Sequence, residues 1–196
     1  DERFLVVQDL GTDKITVYAV DLNNPTKPLS ENPISVFNCN PGDGPRHISF
    51  HPTKPFVYAV QELSGSVTVL AFKKGELKKL QQINMFDKVT DKKSGAADIH
   101  LSPDGKFLYA SNRVDYNDLA IYKVASNGLL AWVGSQPTLG LAPRNFAIDP
   151  TGNFLLAANQ NSNEIVVFKR NKITGLLNDT GNRISVGRPV CIQFVR

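Results

Sequence analysis

The chain repeats one phrase, two short apolar strands joined by a proline-containing turn. The phrase occupies residues 48–59, 99–110 and 146–157, and residues 4–7 match its second half. The phenylalanines that align in the copies are Phe4, Phe56, Phe107 and Phe154. Their spacings are 52, 51 and 47 residues. A period of about 50 residues built from short strands and turn signals is typical of a β-propeller, so we predict an all-β fold in which each repeat forms one blade.

Each repeat divides into four strand-like pieces, named A to D from the axis of the propeller outward. In the repeat that contains Phe56, which is the second when the partial repeat at residues 4–7 is counted as the first, these pieces are predicted at residues 46–51, 56–61, 67–72 and 77–86. Turn residues separate them, such as Pro103-Asp104-Gly105 between A and B of the third copy. The predicted blades are 1–44 (partial), 45–95, 96–141 and 142–188, followed by a final inner strand over 189–196.

The order of the pieces leaves the size of the ring open. The chain opens at a strand B, continues through three complete repeats and finishes with a lone strand A. A ring of four blades would close if the last strand paired with the first sheet, and the alternative is that these units belong to a larger ring. The sequence does not begin with Met, so we expect the natural N-terminus, with any targeting segment, to lie upstream.

Charge and composition narrow the classes of partner. The formal net charge of +4 at pH 7 fits a small anionic ligand and is too small and too scattered to indicate nucleic-acid binding. No apolar run approaches the roughly 20 residues that a membrane span needs. Cys39 and Cys191 are too few and too distant for a disulfide framework, which favours a reducing compartment. We therefore expect a cytoplasmic protein without a nucleic-acid or membrane partner.

Residues at the end of strand B and the start of strand A differ in how well they repeat. The polar residues that recur, and that we interpret first as caps of hydrogen-bond networks, are Asp9, Gln61, Asn112 and Asn159. The following position varies among Leu10, Glu62, Arg113 and Gln160. The start of strand A varies among Arg46-His47, Ala97-Asp98, Arg144-Asn145 and Val190-Cys191. Positions that break the repeat are candidates for function.

Topology brings these positions together. Strands A and B are antiparallel and nearest the axis, so the start of A and the end of B lie at the same end of each blade. The side chains predicted to gather at one mouth of the central channel are Arg46, His47, Glu62, Asp98, Arg113, Arg144, Asn159 and Gln160. His100 faces the same side as Asp98, either as a structural histidine or as one that lines the channel. Arginines around a carboxylate suit an anionic substrate that needs acid–base help.

Other common kinds of site are not indicated. His47 and His51 are four residues apart on a strand that leads into a turn, which is not the helical spacing of a zinc site. The sequence contains no Gly-x-Ser-x-Gly elbow, P-loop or dinucleotide-binding fingerprint. We expect neither a metal ion nor a cofactor.

Several phrases carry a resemblance to a known family. They are Gly44-Pro45-Arg46-His47 with Val60-Gln61-Glu62-Leu63, Ile99-His100-Leu101-Ser102-Pro103-Asp104-Gly105 with Ala110-Ser111-Asn112-Arg113, and Pro143-Arg144-Asn145-Phe146 with Ala158-Asn159-Gln160. In these phrases, and over essentially its whole length, the chain resembles the lactonase family of seven-bladed β-propellers. That family includes bacterial 6-phosphogluconolactonases and fungal carboxymuconate lactonizing enzymes.

The resemblance implies metal-independent lactone chemistry in a cleft at the channel mouth, performed by arginines, a glutamate and a histidine. Arg46, Glu62 and Arg113 fall on the family's arginine, glutamate and arginine. The family's histidine lies in the strand A that would precede residue 1. Because family members have about seven blades, the chain resembles roughly the C-terminal four-sevenths of one, and the N-terminal blades are its expected partner.

The leading hypothesis is hydrolysis of 6-phospho-D-glucono-1,5-lactone to 6-phosphogluconate. Glu62 or the upstream histidine would activate a water, and Arg46 and Arg113 would stabilise the oxyanion. Arg144 and His47 are the candidates for binding the phosphate, because guanidinium matches phosphate oxygens. The full set of predicted substrate-binding residues is His47, Asp98, His100, Arg144, Asn159 and Gln160. The rivals are a cycloisomerase that lactonizes a muconate-type diacid and a non-catalytic propeller that binds a protein or peptide.

Overall fold

Four antiparallel sheets make up the computed structural model of this chain. The structure describes residues 3–88 and 91–195. Within those ranges the regular structure is all β-strand, and no helix has the length and apolar character that a membrane span requires. Neighbouring strands in each sheet are consecutive along the chain, so every sheet is an up-and-down meander. The predicted all-β class is confirmed.

The first sheet contains three strands and each of the others contains four. The first sheet consists of β1 (Phe4–Asp9), β2 (Lys14–Ala19) and β3 (Ser35–Asn38). The second consists of β4 (Pro45–Phe50), β5 (Phe56–Gln61), β6 (Ser66–Lys73) and β7 (Glu76–Asn84). The third consists of β8 (Ala96–Leu101), β9 (Phe107–Asn112), β10 (Asp118–Val124) and β11 (Leu130–Pro137). The fourth consists of β12 (Pro143–Ile148), β13 (Phe154–Asn159), β14 (Glu164–Arg170) and β15 (Leu177–Ser185).

Apolar side chains fill the space between consecutive sheets. The first and second sheets meet through Ile15, Val57, Ala59 and Leu70. The second and third meet through Tyr58, Val60, Val67, Leu108 and Tyr122. The third and fourth meet through Phe107, Tyr109, Phe146 and Phe168. The innermost strands β4, β8 and β12 contact one another in that order, which arranges the sheets as successive blades of a propeller around one axis.

In the second and third sheets burial is greatest in the two middle strands and lowest at the perimeter. Every residue of β9 is buried, because neighbouring sheets cover both of its faces, and its sequence is accordingly apolar or small apart from its last residues. The outermost strand β7 is mostly exposed and carries Lys78 and Lys79 on its surface. Charged side chains on an outer strand discourage pairing with the edge of another sheet, as expected for this lysine-rich stretch.

The last segment differs from its prediction. The repeat predicts an inner strand over residues 189–196, but residues 189–195 form no strand, and residue 196 lies outside the described residues. Ile192 N–H donates to Asn145 Oδ1 at 2.7 Å, so the segment is held against β12 by a side chain. A strand exists only where its backbone pairs with that of another strand, and this segment has no such ladder among the described residues. Repetition in the sequence therefore does not by itself fix the strand.

A turn glycine of one blade packs against the preceding blade. This contact lies at the end of the propeller opposite to the end where strand A of each blade begins. Tyr58 Oη donates to the Gly128 carbonyl at 3.0 Å, and the turn lies over Phe56. Gly128 has a φ of +84°, and a Cβ there would lie 2.6 Å from the Phe56 ring. We expect Gly128→Ala to lower the free energy of unfolding by about 2–4 kcal/mol, through left-handed strain and overpacking together, in denaturant titrations followed by circular dichroism.

Gly181 provides the matched control for that substitution. Its φ of +77° is similar, but nothing lies within 4 Å of the added Cβ. Gly181→Ala should therefore lower the free energy of unfolding only by the backbone strain, about 1 kcal/mol. Equal losses in the two variants would contradict the tight packing of Phe56 under the Gly128 turn.

Candidate functional site

A backbone irregularity at the start of each inner strand shapes the candidate site. The register of β4 with β5 shifts between Pro45 and Ile48, and that of β8 with β9 shifts between Ala96 and Ile99. Each shift has the form of a β-bulge, which re-aims side chains relative to the regular alternation of a strand. The bulges contain residues 46–47 and 97–98, the positions at which the repeats differ. Consecutive residues such as Arg46 and His47 can therefore both serve the site.

Glu62 bridges two arginines from neighbouring blades. Arg46 Nη1 donates to Glu62 Oε2, and Arg113 Nη2 donates to Glu62 Oε1, each at 2.6 Å. The remaining donors hold the arginines against the backbone, since Arg46 Nε donates to the Ala97 carbonyl at 3.0 Å and Arg113 Nε to the Gly95 carbonyl at 2.9 Å. The three side chains are 15–20% exposed, so the cluster is largely shielded but remains accessible to solvent.

The charges of this cluster keep Glu62 ionised. Burial opposes ionisation of Glu62, but the Arg46 hydrogen bond and the charges of Arg46 and Arg113 outweigh it, so the pKa of Glu62 lies below its usual value. Burial lowers the pKa of Arg113. The charge and hydrogen bond of Glu62 raise this pKa, whereas the positive charges of Arg46 and Arg144 lower it further. Arg144 therefore lies close enough for its charge to act on Arg113. The cluster keeps one carboxylate between guanidinium groups at neutral pH.

Asp98 is the centre of a second cluster. His47 Nδ1 donates to its Oδ1 at 2.8 Å, and His100 Nε2 donates to its Oδ2 at 2.9 Å. Asn145 Nδ2 and the Phe146 N–H from β12 also donate to Oδ2, at 2.6 and 3.2 Å. Burial opposes ionisation of this carboxyl, but the hydrogen bonds from His100 and His47 dominate and hold its pKa well below its usual range. Asp98 is therefore an ionised, buried carboxylate shared by three blades.

An axial cavity of about 490 Å³ adjoins these clusters. The inner strands line it with His47, Asp98, His100 and Asn145, and Cys191 of the last segment joins them. This volume is within the range of sites that hold sugar-sized ligands. The arginine–glutamate cluster is not part of the lining, but the two clusters are adjacent, because the Ala97 carbonyl that accepts from Arg46 immediately precedes Asp98.

Asn159 and Gln160 are not brought to either cluster. Asn159 is fully buried and its Nδ2 donates to the Thr138 carbonyl at 3.0 Å, which ties the loop before β12 to the end of β13. Asn112 has the same kind of role one blade earlier, because its Oδ1 accepts from the Gly95 N–H at 3.0 Å. Gln160 lies in a separate depression beside Arg188. The position that follows each strand B therefore faces the site in the second and third blades but not in the fourth.

Asn145 is a site residue that was noted among the varying starts of strand A but was left out of the predicted set at the channel mouth. It occupies the same repeat position as His47, Asp98 and Cys191, and the structure places all four around the axial cavity. That shared position was the available signal. Among residues 3–88 and 91–195, no group of three His, Cys, Asp or Glu side chains is placed to hold a metal ion.

Comparisons with known proteins identify relatives of the chain and similar folds. A family model described as "Lactonase, 7-bladed beta-propeller" matches residues 1–194. A 6-phosphogluconolactonase of Formosa agariphila is 44% identical over 99% of this chain and 55% of its own length. A 6-phosphogluconolactonase of Bacillus subtilis is 37% identical over 100% of this chain and 55% of its own length. The chain thus spans about half the length of the curated relatives it matches.

A solved structure is similar over the same extent. The periplasmic gluconolactonase of Pseudomonas aeruginosa superposes with a TM-score of 0.93 at 37% identity, over 99% of this chain and 54% of that protein. The likeness of the backbones therefore extends through all four sheets.

Proposed function

This chain belongs to the lactonase family of seven-bladed β-propellers, and we propose that its protein hydrolyses 6-phospho-D-glucono-1,5-lactone to 6-phosphogluconate. The relatives named 6-phosphogluconolactonase, at 44% and 37% identity over nearly the whole chain, support this substrate. The observation that carries the proposal is the pair of arginines joined by Glu62 beside a cavity of sugar size. The lactone would bind at the junction of the two clusters.

The arginines suit the charge that develops during lactone hydrolysis. Attack of water on the carbonyl carbon makes an oxyanion, and preorganised cationic donors in a shielded site stabilise it strongly. Arg46 and Arg113 are the donors in this proposal, with Glu62 as the residue that positions both. The lowered pKa of Glu62 makes it a weak proton acceptor, which favours this positioning role over that of general base.

The phosphate of the substrate needs a cation of its own. Arg144 follows Pro143 at the start of β12, and its charge acts on Arg113. We assign Arg144 to the phosphate, because a guanidinium fork matches phosphate oxygens and the Glu62 carboxylate does not neutralise this arginine. Hydrolysis of the phosphorylated lactone should then be faster than that of glucono-1,5-lactone, and Arg144→Ala should reduce this preference.

The test is an assay of the protein at its natural length on three substrates: the phosphorylated lactone, glucono-1,5-lactone and a carboxymuconate. We expect hydrolysis of the phosphorylated lactone, and about a 100-fold lower kcat/KM in Glu62→Gln, because one arginine loses its acceptor and both lose the negative charge that holds them. Glu76→Gln on the exposed strand β7 is the matched control and should leave kcat/KM unchanged. Cyclisation of the carboxymuconate without lactone hydrolysis would indicate the lactonizing cycloisomerase instead. Activity on none of the three would favour a binding propeller.

We also propose that further blades complete the ring beside the first sheet. Leu5 and Val7 of β1 are each 40% exposed, although the corresponding strands β5 and β9 are almost entirely buried. A neighbouring blade would cover this apolar surface, as the second sheet covers the other face of the first. The matched relatives, nearly twice as long as this chain, support this.

The cytoplasm is the proposed location, because a phosphorylated sugar is charged and does not cross a lipid bilayer unaided. The similar structure from Pseudomonas aeruginosa is of a periplasmic gluconolactonase, so the periplasm is the alternative location to test. Cell fractionation followed by immunoblotting tests this, and recovery of the protein outside the cytoplasm would point to an unphosphorylated lactone.

A further inference from the structure

The Asp98 carboxylate fixes the tautomer of His47. A carboxylate can only accept, so the 2.8 Å contact requires the His47 proton to be on Nδ1. In the neutral ring, Nε2 then carries a free lone pair on a side chain that is 47% exposed and lines the axial cavity. His100 has the other tautomer, with its proton on Nε2, because Nε2 is the atom that contacts Asp98 at 2.9 Å.

The carboxylate is itself held rigidly. Asp98 is 3% exposed and accepts from two imidazoles, the Asn145 amide and the backbone N–H groups of Ile99 and Phe146. A buried carboxylate that orients an imidazole through Nδ1 and stabilises its protonated form is the arrangement by which Asp supports His in acyl-transfer enzymes. Such a pair is recognised by its geometry and roles and not by its position in the sequence.

Among the residues that the structure describes, His47 is better placed for this chemistry than Glu62 or His100. Glu62 is committed to two arginines, so its oxygens are already occupied by charged donors. His100 lies two residues further along β8 from Asp98, with its ring edge-on to Phe146 at a centroid distance of 4.9 Å. His47 is the direct neighbour of Arg46, one of the proposed oxyanion donors, in the bulge of β4.

We propose that His47 is the general base of the lactone hydrolysis, with Asp98 as its positioning residue; this inference rests on the proposed function. His47 Nε2 removes a proton from water as the water oxygen forms a bond to the lactone carbonyl carbon. The tetrahedral oxyanion collapses and the bond from that carbon to the ring oxygen breaks. The imidazolium returns its proton to the departing ring oxygen, and the product is the open-chain hydroxy acid, which ionises to the carboxylate.

The charged groups around His47 come from three inner strands and the last segment. Asp98 and His100 line the same cavity from β8, and Arg46, which precedes His47 on β4, shares Glu62 with Arg113. Arg144 is on β12, and Cys191 of the last segment shares the cavity. The β1 side chain in the cavity lining is the neutral Gln8. The carboxylate of Asp98 is the anion in direct contact with the His47 ring.

The kinetic test uses the protein at its natural length with His47→Ala. We expect kcat/KM for the phosphorylated lactone to fall about 100- to 10,000-fold and the acid limb of its pH profile to disappear. Added imidazole should restore part of the activity, because the vacated space adjoins the cavity. Asp98→Asn should lower kcat with little change in KM, because a neutral amide neither fixes the His47 tautomer nor stabilises the imidazolium that forms during the reaction. His51→Asn is the control, because an amide oxygen can still accept the Thr53 and Lys54 N–H groups that His51 Nδ1 accepts.

A second measurement separates this inference from the proposed function. Nitrogen-15 NMR of histidine-labelled protein at a pH where the rings are neutral should show His47 protonated on Nδ1 and His100 on Nε2. An Nε2-protonated His47 would overturn the inference whatever the enzyme's substrate. So would an active enzyme in which His47→Ala keeps both its rate and its acid limb. An inactive wild type with the expected tautomers would instead contradict lactone hydrolysis.

Discussion

Arg113→Ala should lower kcat/KM for 6-phosphogluconolactone by about 100- to 1,000-fold, the loss typical of removing one donor from an oxyanion site. Arg113 Nη2 donates to Glu62 Oε1 at 2.6 Å. The substitution therefore removes a proposed oxyanion donor and leaves Glu62 Oε1 without the hydrogen bond from Arg113. Steady-state assays that separate kcat from KM provide the measurement. The fall should be mainly in kcat, because the interaction strengthens as the oxyanion forms.

Two variants serve as controls for this substitution. Arg113→Lys keeps the positive charge but cannot contact Glu62 and the Gly95 carbonyl together, so an intermediate rate is expected. Arg183→Ala removes an arginine paired with Asp179 on the perimeter strand β15, and it should leave the rate unchanged. A wild-type rate in Arg113→Ala would show that Arg113 does not stabilise the oxyanion.

Arg170→Ala should lower the free energy of unfolding by about 3–5 kcal/mol, the range for breaking a buried charged network. The Arg170 side chain is 1% exposed, and its guanidinium bonds the Tyr109 hydroxyl at 2.8 Å and the Gly152 carbonyl at 3.0 Å. It also lies 5.5 Å from the centroid of the Phe107 ring, where the cation is attracted to the aromatic face. The third and fourth blades are joined at this point. Urea titration followed by circular dichroism measures the loss.

The shape of the side chain can be separated from its charge. Arg170→Met keeps much of the volume packed against Phe107 and should be less destabilising than alanine. Arg183→Ala, in an exposed pair, should change the free energy of unfolding by no more than about 1 kcal/mol. Similar small losses in Arg170→Ala and Arg183→Ala would mean that Arg170 does not hold the blades together.

Most of the fold was predictable because the sequence repeats it. The alternating strands and the turns at Gly105 and Gly152 recur with the period of a blade, and both glycines adopt the positive φ that such turns use. The last segment was not predictable, because residues 189–195 resemble an inner strand in sequence but lack a partner backbone among the described residues. A sequence pattern indicates that a segment can be a strand; pairing decides whether it is one.

The candidate site was predictable in part. Topology alone brings the start of strand A and the end of strand B together, which explains why Arg46, Glu62 and Arg113 meet. Gln160 occupies the position equivalent to Glu62 and Arg113 yet lies in another depression, because the direction of a side chain after a strand depends on the local loop. The pairing of His47 with Asp98 joins different blades, and no spacing along the chain encodes such a contact.

A crystal structure of the protein at its natural length with bound 6-phosphogluconate tests the site most directly. The product carboxylate derives from the lactone carbonyl, so it should lie within hydrogen-bond distance of Arg46 or Arg113 and face His47 Nε2. Its phosphate should contact Arg144. A product bound away from both clusters, for example in the depression beside Arg170 and Lys172, would contradict the proposed active site.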